Sequence, residues 1–188
     1  MIRTVKQGSR IISIAGGPIQ ARKSVLLVGI VGEKNTIEGI LSSKIRVNGS
    51  DSTDKIIKMI SLSRFKGEIK ILTLNGIALA GLNFVDLEKI KDKLGVHFLV
   101  ITKKKPRPTE IGKALEAFSS KSGKDINTKI NIVAKFSSYR FYSEKNIYIL
   151  SDLPIPSYKN ILNYCIEFQR IAHLVASGIS NGESKGKI

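Results

Sequence analysis

Acidic side chains are scarce in this chain. Its 188 residues hold 15 Asp and Glu against 31 Lys and Arg, a formal net charge of +16. Such an excess favours a polyanionic partner, most often nucleic acid, because each phosphate neutralised releases counterions; a surface kept soluble by repulsion is the plainer alternative. Cysteine occurs once, so no internal disulfide can form. Cys165 lies in an apolar helical run and reads as a buried packing residue rather than a nucleophile. The two histidines, His97 and His173, belong to no His/Cys/Asp/Glu spacing that suits zinc, and His97 sits in an apolar strand pattern. No apolar run approaches the roughly 18 residues of a membrane span, and none resembles a signal peptide, so a cytoplasmic protein is expected.

What is present is an alternation of apolar strands and amphipathic helices. Arg10–Ile14, Ser24–Val31 and Thr36–Val47 read as strands, the last two joined by a link short enough for a hairpin. Asp51 reads as the N-cap of a helix whose apolar face is Ile56, Ile57 and Ile60. Ile69–Leu74 and Val96–Ile101 are two more strands, separated by a helix carrying Leu87, Ile90 and Leu94 and ending at Gly95. A helix with Ile111, Ala114, Leu115 and Phe118 on one face follows, then a polar loop at Ser119–Asp125. Lys129–Phe136 and Asn146–Leu150 read as further strands, and Ser157 to about Ile179 as helix, in one or two segments. The last residues read as a frayed tail. Hairpin links suit an antiparallel meander, and helix crossovers suit parallel strands added at its edge. The expectation is one α/β domain over residues 1–188, a ribonuclease-H-like mixed sheet (antiparallel meander plus parallel strands) flanked by helices.

The most informative stretch is Ile69–Ile90, where a strand runs into Asn75-Gly76, then a glycine-spaced apolar turn, then a helix. Ligands of open α/β sheets bind beyond the carboxyl ends of strands. Four segments, Arg10–Ile19, Val47–Lys55, Leu74–Asp86 and Arg170–Ser184, together resemble the archaeal endonuclease dU family, itself distantly similar to endonuclease V. The resemblance implies a ribonuclease-H-like fold and an ancestral activity that cuts DNA near deoxyuridine with a divalent metal, magnesium or manganese. The departures are at acidic places. Where the family reads like GIDDGPF, this chain has Ala15 and Gly16; where it has VDG and LDG, this chain has Asn48 and Asn75, the latter followed by Gly76. The turn into the C-terminal helix keeps Glu167 and Arg170 but lacks the family's two prolines.

Phosphodiester cleavage on such a fold relies on a divalent ion to activate water, and that ion prefers carboxylate oxygens. Asp51 and Asp86 are the acids near these segments; they could form a reduced metal site or act as helix caps. His173, one helical turn from Arg170, could assist proton transfer or pack the C-terminal helix. Arg22 and Lys23, behind Gly16-Gly17-Pro18, and the run Lys103, Lys104, Lys105 and Arg107 could contact phosphates or be a solvated surface. The Tyr139–Tyr142 cluster could stack on bases or pack in a strand. These residues favour a DNA-binding protein, for uracil-containing or single-stranded DNA, whose nuclease activity is weakened or lost. An active endonuclease using Asp51 and Asp86, or an assembly protein keeping only the fold, are the alternatives.

Overall fold

The structure is a computed structural model that describes residues 8–105, 107–123, 126–144 and 146–184. Residues 185–188 of the expected frayed tail, Pro106 of the basic run and residues 124–125 of the expected polar loop lie outside the described residues. Seven strands form one sheet in the order β3-β2-β1-β4-β5-β7-β6: β1 (Arg10–Gly16), β2 (Ser24–Glu33), β3 (Thr36–Arg46), β4 (Ile69–Leu74), β5 (His97–Thr102), β6 (Tyr142–Glu144) and β7 (Ile147–Ser151). The first three form the antiparallel meander, turning between β2 and β3 at Lys34, whose φ is +50°. β4 and β5 then add in parallel beside β1, each reached through a helix, and β7 closes antiparallel on β5. The sequence expectation of a mixed, ribonuclease-H-like sheet describes this arrangement.

Helices cover both faces. On one lie α1 (Ser52–Ser61), α2 (Leu87–Leu94), α3 (Pro108–Ser122) and α4 (Asn127–Ser138). They share a core with Ile12, Ile14, Leu72 and Leu74 of the central strands. On the other face α5 (Ile155–Lys159) and α6 (Leu162–Asn181) pack Tyr158, Cys165, Phe168 and Ala172 against Ile11, Ile30, Ile71 and Leu99. Adjacent residues of β1 and β4 serve opposite faces, as the pleat requires. Burial pushes the Cys165 thiol up to about 12, so it stays protonated and inert.

Two local expectations are corrected, and a third, Asp51 as an N-cap, holds in position only. Lys129–Phe136, expected as a strand, is part of α4. Its buried residues are Lys129, Val133 and Phe136, spaced four and three, while Ile130 is largely exposed. A short apolar run satisfies either period, and here the helical one positions a lysine that a strand could not. The polar stretch from Ser119 continues α3 to Ser122, where the left-handed Gly123 caps it, and the Ser120 and Ser122 hydroxyls turn back to donate to the carbonyls of Glu116 and Phe118. Asp51 stands at the N-cap position of α1 but makes no side-chain cap bond. That end is bonded instead by a residue from a distant loop: Asn83 Oδ1 accepts from Ser52 N at 3.1 Å.

The loop that supplies Asn83 ties the two glycine turns together. Asn83, wholly buried, also donates from Nδ2 to Arg46 O and to Asp51 Oδ1, each at 2.8 Å. Asn48 Oδ1 accepts from Leu82 N at 2.8 Å, and its own N–H donates to Ala80 O at 2.9 Å. A side chain on Gly81 would run into the Asn48 amide. Lys129, only 4% exposed, completes the knot: its Nζ donates to the carbonyls of Asn48, Gly49 and Leu82 at 2.7–2.8 Å, over the ring of Phe118. A buried ammonium is stable only when so bonded. Lys129→Met keeps the stem and removes the donors from three carbonyls, so it should lower unfolding free energy by about 2 kcal/mol or more, read from urea melts.

Candidate functional site

β1, β4 and β5 run in the same direction, so their carboxyl ends share one edge of the sheet. The β1–β4 register pairs Ile14 with Leu74, which puts Ala15 and Asn75 next along the two strands. A cavity of about 300 Å³ opens there. Its floor is Ile14, Ala15 and Gly16 of β1 with Asn75 just past β4. The turn after β4 supplies Ala78 and Leu79, and β5 supplies Ile101 and Thr102, continued by Lys103. Ile147 of β7 closes one side. α6 lies across the opening with Ile166, Gln169 and His173, spaced three and four on one helix face. None of these lining residues is a carboxylate.

Beneath the cavity runs a buried polar chain. Gln169 Nε2 donates to Thr73 Oγ1 at 3.2 Å, the Thr73 and Ser13 hydroxyls are 2.7 Å apart, and Ser13 Oγ donates to Cys165 O at 3.4 Å. Ser13 and Thr73 are fully buried in central strands. The chain couples β1, β4 and α6, and it fixes where Gln169 meets the cavity. Sequence reasoning missed all three; a lone hydroxyl at the same register in each of two apolar strands was the available signal.

The sequence-selected residues fall into separate groups. Ala15, Gly16, Asn75, Lys103 and His173 meet at the cavity, His173 on the exposed face of α6. Asn48 and Gly76 do not line it: Asn48 bonds the turn described above, and Gly76 takes the left-handed conformation with φ of +81° that the turn beside Thr102 requires. Asp51 accepts from Arg46 N and Asn83 Nδ2 and lies 3.4 Å from the Arg46 guanidinium. Asp86 caps α2 by accepting from Lys89 N at 3.0 Å and lies 3.6 Å from Lys135 Nζ. Neither acid borders the cavity. No cluster of three or more His, Cys, Asp or Glu side chains that could hold a metal ion occurs among the described residues.

The cations are distributed unevenly. Arg22 donates to Ser180 O and Asn181 Oδ1 at the end of α6, and Lys23 is exposed beside it. Arg170 grips Glu167 through two nitrogens at 2.6 and 2.9 Å, which holds the Glu167 carboxyl below its ordinary range. Lys103, Lys104, Lys105 and Arg107 line a second groove, of about 500 Å³, with Glu110 and Tyr148, Arg107 pairing with Glu110 at 2.7 Å. Lys103 borders both groove and cavity. Two of the cluster's aromatics pack inward, Tyr139 edge-on to Phe98 and Phe141 edge-on to Phe136, while the Arg140 guanidinium lies over the ring of Tyr142.

Comparison with known proteins agrees with this architecture. The family model described as endonuclease dU matches residues 7–180. A UPF0215 protein of Pyrococcus furiosus is 32% identical, over 98% of each chain. One of Archaeoglobus fulgidus is 33% identical, over 86% of this chain and 89% of its own. Among solved structures, a protein of unknown function from Archaeoglobus fulgidus superposes with a TM-score of 0.70 at 28% identity, covering 90% of this chain and 97% of its own. Human ENDOV shares the fold with a TM-score of 0.50 at 11% identity, covering 89% and 82%.

Gly16 explains how this edge is shaped. A side chain there would run into the backbone carbonyl of Leu79, so the turn after β4 lies directly on the end of β1. Gly16→Asp must therefore push the 76–81 turn aside. It should cost about 1–3 kcal/mol of stability in urea melts, whereas Ala15→Asp, whose position opens into the cavity, should cost clearly less.

Proposed function

The chain belongs to the endonuclease dU family, and from that premise we propose that it binds DNA at the carboxyl edge of its sheet with the family's nuclease activity weakened or lost. The observation that carries this reading is the composition of the cavity. It lies where β1 and β4 end together, yet it is walled by Ala15, Gly16 and Asn75 and bordered by the cation Lys103. A divalent ion for phosphodiester hydrolysis needs anionic oxygens. Asn75 and Gln169 offer neutral amide oxygens, and Lys103 repels a second cation. Such a donor set does not fit magnesium or manganese. The carboxylates of Asp51 and Asp86 bond backbone and side-chain partners elsewhere in the fold, which further favours this reading over an active centre built on them.

DNA as the partner is supported by the family's name, by the net charge of +16, and by a basic groove contiguous with the cavity. Single-stranded DNA is favoured because the groove adds Tyr148, an aromatic face, to its lysines, and uracil-containing DNA because the matching family is endonuclease dU. The charge acts through phosphates, so affinity should fall by about tenfold or more between ~50 and ~200 mM salt.

Two measurements test the reading. Incubated with a uracil-containing oligonucleotide and magnesium or manganese, the protein should bind in a salt-dependent way and leave the strand uncut. Metal-dependent cutting that Asp86→Ala abolishes would overturn the loss of activity, and no binding at ~50 mM salt would overturn the DNA partner. The double variant Ala15→Asp/Asn75→Asp restores two neighbouring carboxylates to the cavity. It should gain manganese binding at about millimolar concentration or tighter, measured by calorimetry, where the parent binds none.

A further inference from the structure

We propose that the outer edge of β3 is a docking site for an extended, acidic segment of another protein, which adds to the sheet as a further strand. This surface shares no residue with the cavity or with the Lys103–Arg107 groove. Three observations carry the proposal: an open main-chain edge, an apolar margin beside it, and unpaired cations around both.

β3 ends the sheet, and among the described residues its ladder is with β2 alone. In an antiparallel strand every second residue turns its N–H and C=O away from the neighbour, so an end strand presents an open row of donors and acceptors. At 11 residues β3 is long for that position. Its two ends are closed. Arg64 donates to Glu38 O at 2.9 Å, and Asn83 Nδ2 and Gly49 N donate to Arg46 O. Among the described residues, the main chain between them, Gly39–Ile45, bonds only to β2. α1 packs over one face of this stretch. On the other face α6 packs on β1 and β2, and beyond it Ile40 stays 55% exposed.

A groove of about 410 Å³ runs between this edge and α1. Leu41 and Ser43 of β3 form one side, and Lys55, Lys58, Met59 and Leu62, a single stripe of α1, form the other. Leu62 is 77% exposed there. Ile37 and Ile40, whose ladder partners Gly32 and Ile30 face α6, are exposed on the opposite side. Lys44, Lys55 and Lys58 are exposed and form no ion pair among the described residues. The acids close to them in sequence are taken: Glu38 by Arg10, Asp51 by Arg46 and Asp54 by Lys89. These features select the occupant. A second copy brings the same lysines and a net charge of +16, so pairing two such edges sets like charges together. Lys44 on the edge and the bulge opposite Gly32 also keep identical edges apart. Nucleic acid matches the lysines, but it leaves the main-chain ladder unmade and the isoleucines uncovered. An acidic strand answers all three features. Its main chain extends the ladder, carboxylates on one side reach Lys55 and Lys58, and apolar residues on the other cover Ile37 and Ile40.

The probe is a fluorescein-labelled octapeptide alternating Glu and Val, titrated with the full chain by anisotropy at ~150 mM salt. Two controls keep its charge and side chains but carry N-methyl groups, one at every Val and one at every Glu. At least one of the two should bind about tenfold or more weakly than the unmethylated peptide, because it cannot donate to β3. Lys55→Gln/Lys58→Gln, which keeps good helix formers on α1, should weaken the parent peptide about fivefold or more. Ile40→Glu on the other face should weaken it to a similar degree, and it decides the matter if the α1 variant does not fold by circular dichroism. No binding of the peptide, or equal binding of all three peptides, overturns strand addition. So does a dimer in sedimentation that Ile40→Glu dissociates, since a second copy then holds the edge. Displacement of the peptide by oligothymidylate, with an equal loss of oligothymidylate affinity in Lys55→Gln/Lys58→Gln, assigns the surface to nucleic acid and overturns it as well.

Discussion

The close approach of the Leu79 carbonyl to Gly16 is the constraint around which this edge of the protein is organised. It brings the turn after β4 down onto the end of β1 and so sets the depth of the cavity. It can exist only because residue 16 has no side chain. The resemblance to the endonuclease dU family places an acid at that position, and here the backbone of a neighbouring turn lies in its way. An acidic side chain at residue 16 is thus opposed by the path of the main chain itself. Ala15, one residue earlier and facing α6, carries no such obstruction, so the two missing acids are unequal in physical terms.

The rest of the edge is held by buried polar groups that the core could not otherwise tolerate. The chain from Gln169 through Thr73 and Ser13 to the α6 backbone fixes the helix against the central strands with each hydroxyl bonded. On the opposite face, Asn83 and Lys129 satisfy carbonyls and amides of the turns at Asn48 and Leu82. Among the described residues no buried side-chain nitrogen or oxygen lacks a partner. A site so supported is pre-shaped, and a ligand entering it would not have to organise it.

Much of the architecture was legible in the sequence. The spacing of Leu87, Ile90 and Leu94, the glycine after them, and the apolar strands at Ile69–Leu74 and Val96–Ile101 each carry one strong local signal. The run Lys129–Phe136 reads as a strand because five apolar residues in eight fit a strand as well as a helix, and a buried lysine contradicts the usual reading of charge as exposure. The family motif around Asn83 and Asp86 was legible as a motif but not as a structure. Asn83's partners, Ser52 and Arg46, stand at the start of a helix and the end of a strand, 31 and 37 residues away, and only tertiary packing brings them together, whereas the Asp86 cap on Lys89 is local and was readable. Asn48 shows the same limit: its amide faces Leu82 rather than the cavity, a direction that strand and turn patterns do not encode.

Lys129 closes contacts across 81 residues to Asn48 and 47 residues to Leu82. Contacts of such long separation carry a large loop-closure entropy and tend to form after local ones. The meander β1–β3 can assemble while the chain is still being made, but the turns around Asn48 and Leu82 gain their last donor only after α4 has docked. The turns beside the cavity are therefore locked by a segment that contributes nothing to the cavity wall.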